Sequence, residues 1–258
     1  MSRSSIFPAA VLVALTVIVS CGGCNRSPTA PTGVDALPLS GESDHFRYFH
    51  APGVDVEITR QEAFHTWAVA RLGVSVPRKI DYRRYTSRND MGQHTGKYNT
   101  NGYAEPELFT IHTLWSWDNH ETVHIYSALI GRPSDFFNEG LAVAMQTDPL
   151  AGDFEPRFNG EQVHAAAKRY RAAGSLVLPL SQIATTTGFR GILDSTLSYR
   201  EAGSFVAFLI DRYGMASVQQ FFRISTASDS QGTIRTRFQQ AFGASLEDAE
   251  AAWLAFVG

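Results

Sequence analysis

Residues Trp117 to Gln146 read WDNHETVHIYSALIGRPSDFFNEGLAVAMQ, two histidines and two glutamates set among many apolar side chains. His120, Glu121 and His124 form a His-Glu-x-x-His pattern. On a helix, residues four apart share a face, so His120 and His124 can grip one ion together. Imidazole nitrogen suits zinc, and a catalytic zinc site needs only three protein ligands because it keeps one position open. Glu121 points beside that position, where it can take a proton from a water that the ion has made more acidic. The competing reading is an amphipathic helix that carries two partly buried histidines.

A third ligand sharpens the choice. Gly131-Arg132-Pro133 should end the first helix, with glycine in the left-handed C-terminal position and proline unable to continue the ladder. Ser134 is placed to cap a second helix beginning DFFNEGLAVAMQ. Glu139 is the only acid in its apolar run from Phe136 to Met145, while Asp135 sits in the first turn, where a negative charge suits the helix dipole. A carboxylate between Phe137 and Leu141 is costly to bury without a partner, and zinc would be such a partner. The alternative is a Glu139 that faces solvent.

HETVH followed by FFNEGLA resembles the gluzincin metallopeptidases, the peptidase MA-like superfamily with its HExxH…NEGxA pattern. The resemblance extends, more loosely, to SYREAGSFVAFLIDRYG and FGASLEDAEAAWLAF, which are similar to the helices after the zinc site in small bacterial members. It implies that His120, His124 and Glu139 bind zinc and that Glu121 is the general base. It also implies an oxyanion donor from the helical half, for which Tyr199 is the candidate. A buried structural role for Tyr199 stands equally open. An edge strand near Gly102–Pro106 would pair with the substrate backbone, and Glu105 resembles the glutamate that holds the free amine in aminopeptidases; a plain loop is the competing reading. From His124 to Glu139 is 15 positions (139 − 124), shorter than in the large gluzincin aminopeptidases, so the two helices must be joined tightly.

The rest of the chain supplies the setting. Of 258 residues, the first 21 have the layout of a secretory signal: one arginine, an apolar run from Ala9 to Val19, then Ser20 and Cys21. IVSC resembles a bacterial lipobox, which makes Cys21 the expected lipidation site; plain secretion with a Cys21–Cys24 disulfide is the alternative. Gly22 lacks the aspartate associated with inner-membrane retention, so an outer-membrane anchor is favoured if the cell has one. Residues 22–43, rich in Pro, Gly, Ser and Thr, read as a disordered tether. Beyond them no cysteine occurs, which excludes a disulfide framework or a thiolate metal site. At 44% hydrophobic and 12% aromatic the chain can build a substantial core, and a net charge of −3 without a long basic run gives no nucleic-acid signature. The expected partners are a peptide or protein substrate and, through the lipid, a membrane; no oligomeric state is assigned.

Strand candidates are HFRYFH, KIDYRRY and LFTIHTL, with a helix over TRQEAFHTWAVARLG, where Thr59 and Glu62 would make a capping box and Gly73 would end the helix. TSRNDMGQHTGKYNTNGYAEP is polar and glycine-rich and reads as a loop. After Gln146 nearly every segment has helical periodicity. The expectation is therefore α+β: a zincin-like part over 44–147, with a small mixed sheet and the HExxH helix, then a mostly helical part over 148–258. His112 reads as a strand residue rather than a fourth ligand, Arg200 and Glu201 as a solvated face, and either Asp118 or Asn119 as the group that orients a ligating imidazole.

Overall fold

In a computed structural model the described residues are 36–258. The expected signal segment, the expected lipidation site at Cys21 and most of the expected tether lie outside them. The chain is mixed α and β, built on a five-stranded sheet of order β1-β2-β3-β5-β4. Its strands are β1 (Leu39–Glu42), β2 (Phe46–His50), β3 (Ile80–Arg84), β4 (Gly102–Glu105) and β5 (Thr110–Thr113). The inner three run parallel, and β1 and β4 pair antiparallel at the two edges.

β1 falls within the stretch expected to be tether. Its residues LSGE bury almost nothing, because an outermost strand can be held by backbone pairing alone. Along β2, β3 and β5, alternation sends Phe46, Tyr48, Ile80, Tyr82 and Ile111 into the main core. The opposite face carries a small cluster of Leu37, Tyr85 and Met91 with Phe49, Tyr103 and Leu114.

Helix α1 (Ile58–Leu72) joins β2 to β3 and ends at Gly73, whose φ of 56° fits the left-handed cap. The expected capping box does not form. Glu62 instead accepts from Ser43 Oγ at 2.5 Å and meets His45 Nδ1 at 2.6 Å, tying α1 to the start of β2. The segment read as a loop contains α2 (Arg88–Thr95), capped by Ser87 and closed by Gly96. It escapes a periodicity search because Met91 is its only large buried side chain.

Helices α3 (Asn119–Ala128) and α4 (Asp135–Ala144) follow, then a two-residue-per-strand hairpin of β6 (Arg157–Phe158) and β7 (Glu161–Gln162). The remainder is helical: α5 (Val163–Ala172), α6 (Leu180–Ile183), α7 (Thr186–Arg190), α8 (Ser195–Tyr213), α9 (Met215–Ile224), α10 (Gln231–Phe242) and α11 (Leu246–Phe256). One core runs from the sheet into these helices, with Phe136, Phe137, Phe205, Phe221, Phe238 and Trp253 at its helical end. Each such side chain, fully buried, contributes roughly 1.5–3 kcal/mol. No helix among the described residues is long and apolar enough to cross a membrane.

α8 is buried nearly all round, and that corrects the reading of Arg200 and Glu201 as a solvated face. They are 9% and 0% exposed. Arg200 donates to the Phe158 and Asn159 carbonyls and pairs with Glu161 at 2.6 Å, so it holds the β6–β7 hairpin. Glu201 accepts from the Val177 N–H at 3.1 Å. Where α4 crosses α8, Gly140 and Gly203 let the backbones close up: a β-carbon on Gly140 would lie 2.8 Å from the Ala202 carbonyl oxygen, and one on Gly203 would lie 2.2 Å from Val143 Cγ1.

Candidate metal centre

α3 is positioned by its first residues. Asp118 caps it, accepting from the Glu121 N–H at 3.0 Å and from Thr113 Oγ1 at 2.6 Å. Gln61 of α1 accepts from the Asp118 N–H at 3.1 Å and donates to Thr122 Oγ1 at 2.8 Å. Sheet and α1 thus fix where the His-Glu-x-x-His turn begins.

The helix stops at Ala128, and the turn into α4 differs from expectation. Gly131 is not left-handed; its role is clearance, since a β-carbon there would fall 2.1 Å from the Phe222 carbonyl oxygen on α9. Ser134 does not cap α4 with its own side chain. Its hydroxyl donates to the Ala184 carbonyl, and the Asp135 N–H is satisfied by Thr186 Oγ1 at 3.1 Å. The tight turn folds α4 back against α3, and Glu139, 7% exposed, faces the histidines.

The three candidate ligand atoms converge. Glu139 Oε2 lies 3.2 Å from His120 Nε2 and 3.2 Å from His124 Nε2, and the two nitrogens are 3.3 Å apart. Ligand atoms at those separations, each about 2.0 Å from an ion, subtend angles of about 106° and about 111°, close to tetrahedral. Two neutral imidazoles and one carboxylate are also a donor set that suits zinc, and the trio fits such an ion in number, chemistry and spacing. Burial works to raise the Glu139 carboxyl, but His124 and His120 hold it well below the usual range, so it stands ready as an anion.

Neither Asp118 nor Asn119 orients an imidazole. Asp118 is occupied with capping, and Asn119 Nδ2 donates to the Thr147 carbonyl at 2.9 Å. The amide of Asn138 serves His124 instead, 3.2 Å from its Nδ1 and 3.2 Å from Ser127 Oγ. Asn138 Nδ2 is the atom that faces His124 Nδ1, and its Oδ1 accepts from Ser127 Oγ; were Nε2 to bind an ion, His124 Nδ1 would carry the proton and the amide would turn its oxygen toward it. His120 Nδ1 is buried without a hydrogen-bond partner among the described residues.

Glu121 sits beside the trio beneath β4. Burial first, and then the charge of Asp118, push its carboxyl up to about 7 against the pull of the two imidazoles. A carboxylate beside the trio is placed to accept a proton and return it. The whole group opens into a cleft of about 1120 Å³, bounded by β4, by the β6–β7 hairpin and by α7–α8.

Tyr199 lies on the cleft wall, its ring 6.0 Å from that of His120 and 5.2 Å from that of Phe158. Burial and the Glu139 charge push its phenol above the usual range, so it keeps its proton. Compared with family models the chain matches none, and no curated protein matches it.

Glu105 does not reach this site. Alternation along β4 turns Gly102 toward Glu121 and Glu105 to the opposite face, where it meets His112 Nε2 at 3.2 Å. His112 is a strand residue stacked on Tyr103 at 4.5 Å and bonded to the Tyr85 hydroxyl at 2.8 Å, not a fourth ligand. Two neighbours of the trio are not singled out by the sequence, Asn138 and Arg190. Asn138 stands next to Glu139 in the NEG triplet, a signal available from the start. Arg190, 51 positions after Glu139, has no local pattern to reveal it (190 − 139).

Proposed function

We propose that the chain is a zinc-dependent metallopeptidase with a zincin-like core of gluzincin type, held outside the cytoplasm by a lipid on Cys21. The observation that carries this reading is the convergence of His120, His124 and Glu139 at the floor of a large cleft, with Glu121 beside them. The HETVH…NEGLA pattern supports the gluzincin type.

His120, His124 and Glu139 would hold the zinc, which when bound supplies a Lewis acid that polarises a carbonyl and makes water more acidic. The chain's own residues do the rest. β4, an edge strand paired on one side only, offers its backbone to an extended peptide across the cleft. Glu121 takes the proton of the attacking water and returns it to the leaving amine. Tyr199, kept protonated, donates to the developing oxyanion.

The test is metal analysis of the purified protein beside Glu121→Gln, with hydrolysis followed on a broad peptide library. Both forms should carry about one zinc per chain, and only the wild type should cleave. A wild type without zinc overturns the site. Zinc without cleavage replaces the enzyme by a non-catalytic, peptide-binding lipoprotein that keeps the fold.

A further inference from the structure

Arg190 spreads its guanidinium across three partners at the wall of the cleft. Its Nη2 donates to Glu139 Oε1 at 2.8 Å, its Nε to Asp135 Oδ2 at 2.5 Å and its Nη1 to the Tyr199 hydroxyl at 3.3 Å. The short helix that carries it is itself pinned. Thr186 at its start accepts from Asp135 N–H and donates to the Ala227 carbonyl at 2.8 Å, and Phe189 next to Arg190 is only 2% exposed. The backbone that carries the arginine is therefore fixed by the fold, and the half-exposed side chain reaches its three partners from there.

We propose that Arg190 is a positioning residue for the candidate metal centre: by occupying Glu139 Oε1 it leaves Oε2 alone to face the imidazoles, so that Glu139 ligates through one oxygen. The inference rests on reading the trio as a metal site. A carboxylate can bind an ion through one oxygen or two, and the second mode fills a coordination position that a hydrolytic site keeps open. A charge-assisted bond from a planar guanidinium withdraws that second oxygen and fixes the carboxylate's rotation at once. Lysine is a point charge and cannot serve Glu139, Asp135 and Tyr199 together in this geometry. The contact to Tyr199 has a corollary. A phenol oxygen that accepts from Arg190 keeps its own hydrogen for another acceptor, which in this cleft is the reacting carbonyl.

The experiment measures zinc affinity by chelator competition, and the visible spectrum of the cobalt-loaded protein, for wild type, Arg190→Gln and Arg190→Lys. Arg235→Gln, a surface arginine paired with Glu247 away from the cleft, controls for loss of charge. Arg190→Gln should bind zinc about 10–100-fold more weakly, Arg190→Lys less so, and Arg235→Gln as the wild type does. The cobalt absorption should weaken in Arg190→Gln as Glu139 turns to two-oxygen binding and raises the coordination number. Arg190→Lys keeps stem and charge, so it carries the comparison should the glutamine variant fail to fold. Affinities within twofold of wild type and an unchanged cobalt spectrum in both variants would overturn the role of Arg190 and leave the metal centre standing. A wild type that binds no zinc would overturn both.

Discussion

Gly102 on β4 lies directly against Glu121 on α3: a β-carbon at Gly102 would sit 3.2 Å from both the Glu121 Cγ and its Oε1. The edge strand and the candidate base therefore share one narrow space, and any side chain there competes with the carboxylate. Gly102→Val should lower peptide hydrolysis on the order of 10–100-fold by displacing Glu121, while zinc content stays that of the wild type. Wild-type turnover in the valine variant would show that Glu121 is free to move and that the contact has no bearing on catalysis.

Asn138 bridges His124 and Ser127. Asn138→Ala removes the only side chain among the described residues that is hydrogen-bonded to His124 Nδ1, and about 10–100-fold weaker zinc binding is expected, with the ligands themselves intact. Chelator competition measures it. An affinity equal to wild type would mean that the packing of α3 alone orients the ring.

Glu201 on α8 gives a pH signature of its own. Burial, and then the nearby Glu250 on α11, push its carboxyl up from 4.5 to about 8, partly offset by the Val177 N–H that it accepts. Between those values the folded chain keeps a proton that the unfolded chain has lost. The folded state then binds more protons, so this group's share of stability falls as pH rises through that window, by on the order of 1.4 kcal/mol per pH unit. Glu201→Gln should flatten that slope and be the more stable form at pH 8. Urea unfolding of both proteins from pH 5 to 8 checks it, and parallel stability curves would count against a protonated Glu201.

Gly131 stands where α3 turns into α4, pressed on the backbone of α9. Because the opposing atom is a carbonyl and not a flexible side chain, Gly131→Ala should cost about 1–3 kcal/mol or more of stability. Thermal unfolding reads the cost directly. Zinc affinity should fall with it, since the same turn sets the distance between Glu139 and the histidines.

The strands and long helices were legible because burial imposes period on sequence: Phe46 and Tyr48 alternate, and α1 carries Phe64, Ala68 and Leu72 on one face. The four residues of HETVH and Glu139 were legible because a buried acid among apolar neighbours calls for a counter-charge. What failed to show had physical reasons. β1 needs no apolar residues at the sheet's outer edge, and α2 hides behind a single buried methionine. Glu62 looked like a helix cap because nothing in the local pattern shows that His45 and Ser43 come to it from the turn between β1 and β2. Arg200 and Glu201 looked solvated because charge argues for solvent, yet an all-round buried helix supplies both with backbone partners. Arg190 depends on the docking of a five-residue helix, which no spacing rule reaches.

The close crossing of α4 and α8 bears in the end on how the candidate trio is held together. Glu139 rides on α4, and Gly140 and Gly203 seat that helix so firmly on α8 that there is little room for it to swing away from the histidines. In the proposed site a triangle with edges of 3.2 and 3.3 Å would hold a cation at about 2.0 Å with near-tetrahedral angles, whereas calcium takes six to eight oxygens and would meet two nitrogens here. The two glycines thus let helix packing, rather than a flexible loop, carry Glu139 to the histidines.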